Sequence, residues 1–537
     1  MRGSEQTEIT PTEKTRPSAQ IVVTSPGRAG ISDPDRATAW GGWLPPLLAA
    51  AVMTILGVVG INRGSMFGTE EATYWAAHLP FPQFWGLLSH VDAVHGLYYL
   101  MMHGVFLLGG GEVILRIPSL IGMVAASALT ALIAQRLTGS RLLASLAGVV
   151  FAFMPVVNDY AQIGRSYGID VALVLAASYA LVLVIKSPQR GRRPRWRGWL
   201  LYGGILALAG YMNEMTVLML LAHGATLLWS RVSREQKRRW LLVSLGALVI
   251  MVPILVISHS EDSALAWIQI HLWNDVVDLC VNLLGPGSAS IWLMAVLIVV
   301  ALLPRRWLHQ IANRRNGEGH ITLVTFALPL FIVPGAVLLI ESSIALPLYG
   351  GVRYVLYSSA GAALLAAAGI YRLAKSVSRN RNACWAVAGA LLIAVLGVGL
   401  PQQAANRTAS GQPQDMNGAS SFVSDHAHPG DAILYIPAAA ALAPLGYPDD
   451  FTNVHNIALA QSARSSGRFY GVPKATPLIL AQMLEYRRIW EVGPLDAGGI
   501  SPRLAAERVT LKAHFHVSLE HSFRGMDDLL WVRNTTP

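Results

Sequence analysis

Long apolar runs separated by short polar segments dominate the first 400 residues of the chain. Several of these runs reach or approach the roughly 20 residues with which an α-helix spans a bilayer. The pattern predicts a mainly α-helical, polytopic transmembrane bundle. Its eleven predicted spans are residues 43–61, 117–135, 142–157, 167–185, 198–212, 215–230, 240–257, 289–303, 321–340, 352–371 and 383–400.

Two further stretches are predicted to form outer-loop helices that lie at the membrane surface. Residues 96–109 are apolar but shorter than a comfortable span, and we expect a helix that lies in or dips into the outer leaflet, covered by protein. Loop 258–288 has four acids and no Lys or Arg, and Trp267, Leu272 and Val276 contribute to an apolar helical stripe. That combination predicts an interfacial amphipathic helix.

The two ends of the chain have a different composition from the bundle at residues 41–400. Residues 1–40 are polar and rich in Pro, Ser and Thr, which predicts a disordered cytoplasmic tail. Residues 401–429 are predicted to form a linker. Residues 430–537 predict a small extracytoplasmic α/β domain, with strands at 432–436, 488–492 and 529–532 and a helix at 502–514.

Composition supports a membrane protein, because 53% of the residues are apolar and only 13% are charged. A soluble protein has about one quarter charged residues. The net charge of +10 raises nucleic acid as a partner. However, the basic residues lie mostly in short loops between apolar runs, where membrane topology explains them, so we expect no nucleic-acid partner.

The Lys and Arg residues are distributed unevenly between the two sets of loops. Alternate loops carry twenty-one of them, whereas the opposite loops carry only Arg63, Arg116, Arg165 and Arg353. The positive-inside rule then predicts a multi-pass protein of the plasma membrane with a cytoplasmic N-terminus. Cys280 and Cys384 fall on opposite sides in this topology, so no disulfide between them is expected.

The segment that follows the first apolar run carries the strongest candidates for chemistry. Glu70 and Glu71 are adjacent, and Asp92 and His95 follow among aromatic residues. Adjacent acids at a membrane surface are costly to desolvate and indicate chemistry or cation binding. The alternative is a helix start, with Thr69 as the cap and the acids at the positive end of the dipole.

Asp92 and His95 leave two interpretations open. They are candidate ligands of a divalent cation, or they are hydrogen-bond partners of each other and of the surrounding protein. A structural histidine is the more common case, and no cofactor is otherwise expected.

The external arginines form a second group of candidates. Arg116, Arg165 and Arg353 are all predicted at the membrane face that carries Glu70. A guanidinium offers a planar fork of donors to phosphate oxygens, so such a group suits a lipid-phosphate headgroup. The alternative is that each arginine snorkels to membrane lipid or caps a helix end.

These residues, in this order, resemble the C-type glycosyltransferase superfamily, in the branch of protein O-mannosyltransferases and the aminoarabinose lipid A transferase. The resemblance covers roughly residues 41–400. Within it, the stretch Asp92–Tyr99 looks most like actinobacterial membrane proteins labelled as mannosyltransferases. Four positions differ from the family pattern, since Glu70 replaces Asp, Gly96-Leu97 replaces Pro-Pro and Ile163 replaces Glu. The matching elements are Glu70-Glu71, His95–Tyr99, Arg116–Ser119, the group Gln162, Arg165 and Tyr167, and Arg353-Tyr354.

The resemblance implies a polyprenyl-phosphate sugar donor that enters from the outer leaflet, and it favours mannose as the sugar. It implies that Glu70 deprotonates the hydroxyl of an extracytoplasmic glycan, lipid or protein acceptor, which inverts the anomeric configuration. The implied catalytic pair is Glu70 and Glu71. The implied phosphate ligands are Arg116, Arg165, Arg353 and Tyr167, and the further site candidates are Asp92, His95, Gln162 and Tyr354.

Two other functions remain compatible with the same residues. A transporter or flippase of a polyprenyl-linked sugar would use the external cations to bind the headgroup without chemistry. Transporters often have paired halves, and this chain has no repeat of fixed period. A non-catalytic membrane partner whose outer domain binds glycan is the third interpretation.

Overall fold

The computed structural model describes residues 42–187, 196–261, 270–303, 321–345, 347–378, 380–408, 414–494 and 501–534. The predicted cytoplasmic tail lies outside these residues. So do most of the basic loops 186–197 and 304–320, and Trp267 of the predicted interfacial stripe.

The described residues before position 409 are almost entirely helical. Every predicted span overlaps a described helix, and residues 142–157 fall on two, Arg141–Phe153 and Pro155–Ala161. The α-helices of this part are α1 Leu44–Val58, α2 Gly68–His78, α3 Phe81–Leu88, α4 Gly96–Val105, α5 Glu112–Thr138, α6 Arg141–Phe153, α7 Pro155–Ala161, α8 Tyr167–Ile185, α9 Trp196–Met212, α10 Met219–Trp229, α11 Arg234–Ser260, α12 Leu272–Leu284, α13 Gly287–Leu302, α14 Leu323–Ile344, α15 Ser358–Val377 and α16 Arg381–Asn406.

Five of the described helices, α5, α8, α11, α14 and α16, are long and apolar enough to cross a bilayer. The pairs α6–α7 and α12–α13 are bent by 64° and 71°, and the number rises to seven if each pair is one span. Helix α1 is apolar but shorter. The chain is therefore a multi-pass membrane protein, and the number of eleven spans stays a prediction.

Helices also form at both stretches that were predicted to lie at the membrane surface. Helix α4 forms in residues 96–109 and buries Tyr98, Tyr99 and Met102 in a cluster with residues of α2. Helix α12 forms in the acidic loop and buries only Leu279 and Leu283. Their depth in the membrane stays a prediction.

Helix α5 lies at the centre of the bundle and packs against α1, α6 and α8. Helices α5 and α8 approach so closely that a Cβ atom at Gly168 would collide with the backbone of Ser119, and one at Gly122 with the backbone of Gly168. Glycine is required for this close approach because it has no side chain. The contact brings the N-terminal ends of α5 and α8 together, and with them Arg116 and Arg165.

The C-terminal part is a small α/β domain around a five-stranded sheet of order β2-β1-β5-β7-β6. Strands β2, β1 and β5 are parallel, whereas β5, β7 and β6 are antiparallel, and β3 and β4 form a separate pair. The strands are β1 Asp431–Tyr435, β2 Val454–Asn456, β3 Leu459–Gln461, β4 Val472–Pro473, β5 Arg488–Gly493, β6 Phe515–Phe523 and β7 Met526–Arg533. The helices are α17 Met416–His426, α18 Ala443–Gly446, α19 Ala463–Ser466, α20 Thr476–Met483 and α21 Pro502–His514.

The predicted linker is partly helical in the structure. Helix α16 continues to Asn406, and α17 occupies residues 416–426. Met416, Ala419 and Val423 lie on one face of α17 at helical spacing and are buried in the domain core. The domain therefore begins near residue 414, before the predicted boundary at residue 430.

The C-terminal domain docks directly on the loop between α1 and α2. The hydroxyl of Tyr447 accepts a hydrogen bond from the backbone N–H of Met66 at 2.8 Å and donates one to Oε1 of Glu112 at 2.6 Å. Helix α18 packs on α2, and Leu442 joins the cluster of buried side chains beneath it. The domain thus covers the first turn of α2, which carries the two adjacent acids.

Candidate functional site

Glu70 and Glu71 lie in the first turn of α2, and both side chains are fully buried. Acids in this position are stabilised by the positive end of the helix dipole. The predicted Thr69 cap does not form, because Phe67 occupies the N-cap position and Thr69 lies inside the helix. The dipole therefore favours these acids, but side-chain capping does not explain this segment.

Glu70 forms a buried ion pair with Arg116 of α5. Nε of Arg116 lies 3.1 Å from Oε1 of Glu70 and Nη2 lies 3.2 Å from Oε2, while the backbone N–H of Gly164 donates to Oε1 at 2.6 Å. Arg116 also donates to the carbonyl oxygens of Ile61 at 2.8 Å and Ser65 at 3.1 Å. Its donors are thus directed at protein acceptors, and the pair fastens the α1–α2 loop to α5.

Glu71 has the opposite environment. Neither carboxylate oxygen accepts a hydrogen bond from any described residue. A methyl group at Gly446 of α18 would lie 2.6 Å from Cγ of Glu71, so this side chain faces the C-terminal domain. Burial, and secondarily the charge of Glu70, raises the pKa of Glu71 well above its usual value.

Asp92 organises a second network, and its backbone adopts the left-handed conformation with φ of 62°. Nδ1 of His95 lies 2.7 Å from Oδ1 of Asp92, and the hydroxyl of Tyr99 donates to Oδ2. Burial alone would raise the pKa of Asp92. The charges and hydrogen bonds of His95, Arg165 and Tyr99 outweigh it and hold that pKa well below its usual range.

Arg165 joins this network to α2. Its Nη1 atom donates to the hydroxyl of Tyr99 at 3.2 Å, to Oγ1 of Thr73 at 3.1 Å and to the carbonyl of Thr69 at 3.4 Å. The hydroxyl of Ser119 holds the Arg165 backbone by donating to its carbonyl at 2.5 Å. Nε of Arg165 is buried and has no acceptor among the described residues, an arrangement that is costly unless a ligand completes it.

Arg353 and Tyr354 lie beside the same region. The guanidinium carbon of Arg353 is 5.2 Å from the centroid of the Tyr354 ring. Tyr167 lies near both Arg165 and Arg353, and Tyr160 packs edge-to-face on it with centroids 5.3 Å apart. Both arginines therefore lie in the neighbourhood of Tyr167 at the start of α8.

Gln162 has a structural position. Its Nε2 atom donates to the carbonyl oxygens of Gly57 and Val59, each at 2.9 Å. These carbonyls end helix α1, which leaves them without helical partners. Gln162 therefore fixes the end of α1 just before the α1–α2 loop.

The predicted site residues thus form three neighbouring groups. Glu70 pairs with Arg116, Asp92 and His95 support Arg165, and Arg353 with Tyr354 lies close to Tyr167. Sequence reasoning did not place Thr73 and Tyr99 in the site. For Tyr99 the signal was its place in the element His95–Tyr99, which matched the family pattern.

The structure describes no metal centre at these positions. Within residues 42–534, outside the gaps given above, no three His, Cys, Asp or Glu side chains are arranged to hold a metal ion. Asp92 and His95 bind each other and Arg165 interacts with their network, which fits the hydrogen-bonding interpretation of the pair.

The sequence of residues 95–257 matches the family of dolichyl-phosphate-mannose-protein mannosyltransferases. The chain is also similar to the crystal structure of ArnT from Cupriavidus metallidurans bound to undecaprenyl phosphate. The two are 13% identical with a TM-score of 0.52, over 91% of this chain and 98% of that one. The chain therefore has the fold of the C-type membrane glycosyltransferase superfamily, and residues 95–257 match one of its families. Apo ArnT from the same organism is 12% identical with a TM-score of 0.55, over 92% and 98% of the two chains.

The fold shared with the ArnT structures confirms the fold class expected from the sequence. The family match contains Arg116, Arg165 and Tyr167, whereas Glu70 and Arg353 lie outside it. At 12–13% identity the ArnT structures establish the fold, and the roles of individual residues must be argued from this chain. No curated protein sequence matches the chain.

Proposed function

We propose that the chain transfers a sugar, with inversion, from a polyprenyl-phosphate donor to an extracytoplasmic acceptor. The observation that carries this proposal is the buried Arg165. Its Nε has no acceptor among the described residues, and its Nη1 binds the helix that bears the two acids. A lipid phosphate supplies the missing acceptor. The proposal is supported by the fold shared with an ArnT structure that contains undecaprenyl phosphate.

Arg165 and Arg353, with Tyr167 near both, bind the phosphate of the donor in this proposal. As the sugar leaves, negative charge develops on the phosphate oxygen, and preorganised cations stabilise that charge by about 3 kcal/mol for each donor. Arg116 has a positioning role instead, because its donors are directed at Glu70 and the backbone. Asp92, with His95 and Tyr99, fixes Arg165.

Glu71 is the proton acceptor in this proposal. Both of its oxygens are free of described donors, whereas those of Glu70 accept from Arg116 and Gly164. The acceptor hydroxyl gives its proton to Glu71, and its oxygen forms a bond to the anomeric carbon. The bond from that carbon to the phosphate oxygen breaks, and its electron pair stays on the phosphate beside Arg165. This assignment moves the base from Glu70 to Glu71 and leaves Glu70 to orient Arg116.

Mannose is the first sugar to test, since the matching family is described by that sugar. A pentose such as arabinose is the second. The reaction is placed at the outer face of the plasma membrane, with the C-terminal domain extracytoplasmic. That orientation rests on the distribution of Lys and Arg between the two sets of loops.

The role of Arg165 is tested with purified protein in liposomes and radiolabelled polyprenyl-phosphate mannose or arabinose. We expect Arg165→Ala to lower the transfer rate about 100-fold or more, the size of a lost charge-stabilising donor. Arg165→Lys should recover only part of the rate, because an ammonium lacks the planar fork. Arg238→Ala, at an exposed position of α11, is the control. Equal rates for wild type and Arg165→Ala would contradict the proposal.

A further inference from the structure

A cavity of about 270 Å³ lies between α2 and the C-terminal domain. Trp75 of α2 lines one side, and Tyr435, Phe451, Phe469 and Tyr470 of the domain line the other. The rings of Trp75 and Phe469 have centroids 5.7 Å apart and are tilted by 59°. We call this space the interdomain cavity.

A few polar groups accompany the aromatic rings. Asn456, Ser462 and Arg464 also line the interdomain cavity. Nε of Arg464 donates to Oε1 of Gln83 at 2.8 Å, which ties the domain to helix α3 beside the cavity. Apolar and aromatic walls with a small number of polar groups are typical of a site for a small organic ligand.

The interdomain cavity lies next to the proposed base. Trp75 follows Glu71 by four residues, so both side chains lie on the same face of α2. Tyr435 lines the cavity, and burial, Asp528 and the nearby Glu71 carboxylate raise the pKa of its hydroxyl. The buried Glu71 has no hydrogen-bond partner among the described residues, so a hydroxyl donated from this side would satisfy it.

We propose that the interdomain cavity binds a pyranose unit of a glycan acceptor and directs one of its hydroxyl groups toward Glu71. One face of a pyranose ring consists of C–H groups that pack on aromatic rings, while its hydroxyls need polar partners such as Asn456 and Arg464. The volume is just below the roughly 300 Å³ at which pockets for drug-sized ligands begin, which suits one or two sugar rings.

That the glycan is an acceptor rests on the proposed function. Its binding to the interdomain cavity can be measured without sugar transfer. The full chain in nanodiscs is titrated with mannotriose and, separately, cellotriose by saturation-transfer NMR. Half-exposed Tyr470 allows a matched pair of variants. We expect Tyr470→Ala to weaken binding about five-fold or more through loss of the ring, and Tyr470→Phe to bind as wild type does.

A second variant tests the space itself. Ala463→Trp places a large side chain at the wall of the interdomain cavity and should abolish trisaccharide binding. Leu478→Ala, at an exposed position of α20 outside the cavity lining, is the control and should bind as wild type does. Bound polyprenyl phosphate, measured in the same samples, should not change in either variant.

The possible outcomes separate the two proposals. If neither trisaccharide binds wild type, or if Tyr470→Ala and Ala463→Trp bind as wild type does, the cavity proposal is overturned whatever the transfer assay shows. If trisaccharide binding is lost in Ala463→Trp and weakened in Tyr470→Ala, but no lipid-linked sugar is transferred, the cavity proposal stands and the proposed transferase function fails.

Discussion

Glu70 and Glu71 are adjacent in α2, but their side chains have different surroundings and therefore different capacities to accept a proton. Neighbouring side chains on a helix point about 100° apart. Glu70 consequently faces α5 and pairs with Arg116, whereas Glu71 faces the C-terminal domain and has no hydrogen-bond partner among the described residues. A charge that is held by a cation is a poor proton acceptor, while a desolvated and unpartnered carboxylate is a strong one.

The raised pKa of Glu71 predicts a pH dependence of transfer. Glu71 must be ionised to accept a proton, so the rate should fall as the pH drops through its pKa, which lies above the usual value of about 4.3 for glutamate. The measurement is log kcat/KM for the acceptor against pH in wild type, with Glu70→Gln as comparison. A profile that stays flat between about pH 4.3 and 8 would contradict this role.

The sequence was sufficient to find these residues but not to divide their roles. The rarity of external arginines identified Arg116 and Arg165 together. Only the fold shows that Arg116 meets the carbonyls of Ile61 and Ser65, because that contact depends on how the α1–α2 loop packs on α5. Likewise, the position of Glu71 depends on α18, which is more than 370 residues away in the chain.

At the scale of elements, the Glu70–Arg116 pair connects three segments. It joins the start of α2, the outer part of α5 and the loop after α1, and the N–H of Gly164 adds the turn before α8. Both charges are buried, so each depends on the other to offset its desolvation. The pair is therefore a structural link whose failure would displace α2 and the acids it carries.

This link predicts a specific pattern of stability. Arg116→Met should destabilise the protein by roughly 3–5 kcal/mol, because it leaves the Glu70 carboxylate buried and unpaired. The double variant Glu70→Gln/Arg116→Met should be less destabilised than the single one. Thermal unfolding in detergent measures both, with the partly exposed pair Glu235–Arg239 as control, where Arg239→Met should cost less than about 1 kcal/mol. Equal losses of stability in the single and double variants would refute the structural link between Glu70 and Arg116.

Apolar periodicity was enough to locate the helices, since each predicted span overlaps a described helix. It was less informative at the domain boundary. Residues 401–429 are polar in composition, and the apolar face of α17 consists of only a few residues, such as Met416, Ala419 and Val423. That face is stabilised by the sheet on which it packs, and composition alone does not reveal such a partner.

At the scale of the whole molecule, the fold brings all candidate groups to one side. The C-terminal domain contacts the first turn of α2, so these two parts must lie on the same face of the membrane. The distribution of basic residues predicts that this face is the exterior. A lipid-linked donor is suited to this location, because it carries the sugar within the membrane itself.

Labelling of single cysteines tests this orientation. In a background of Cys280→Ser and Cys384→Ser, we expect a membrane-impermeant maleimide to label Lys512→Cys in intact cells, since this exposed position lies on α21 of the outer domain. Arg231→Cys, an exposed position in a predicted cytoplasmic loop, should be labelled only after lysis. The reverse pattern would place the site inside the cell.

The most direct test of the central claim is to follow the labelled sugar in liposomes that contain wild type or Glu71→Gln. The donors are radiolabelled polyprenyl-phosphate mannose and arabinose, with a glycan acceptor outside. We expect wild type to form labelled glycan and to release unlabelled polyprenyl phosphate in equal amounts. We expect Glu71→Gln to form the labelled glycan about 100-fold or more slowly. Movement of intact donor across the bilayer without product, or full activity of Glu71→Gln, would contradict it.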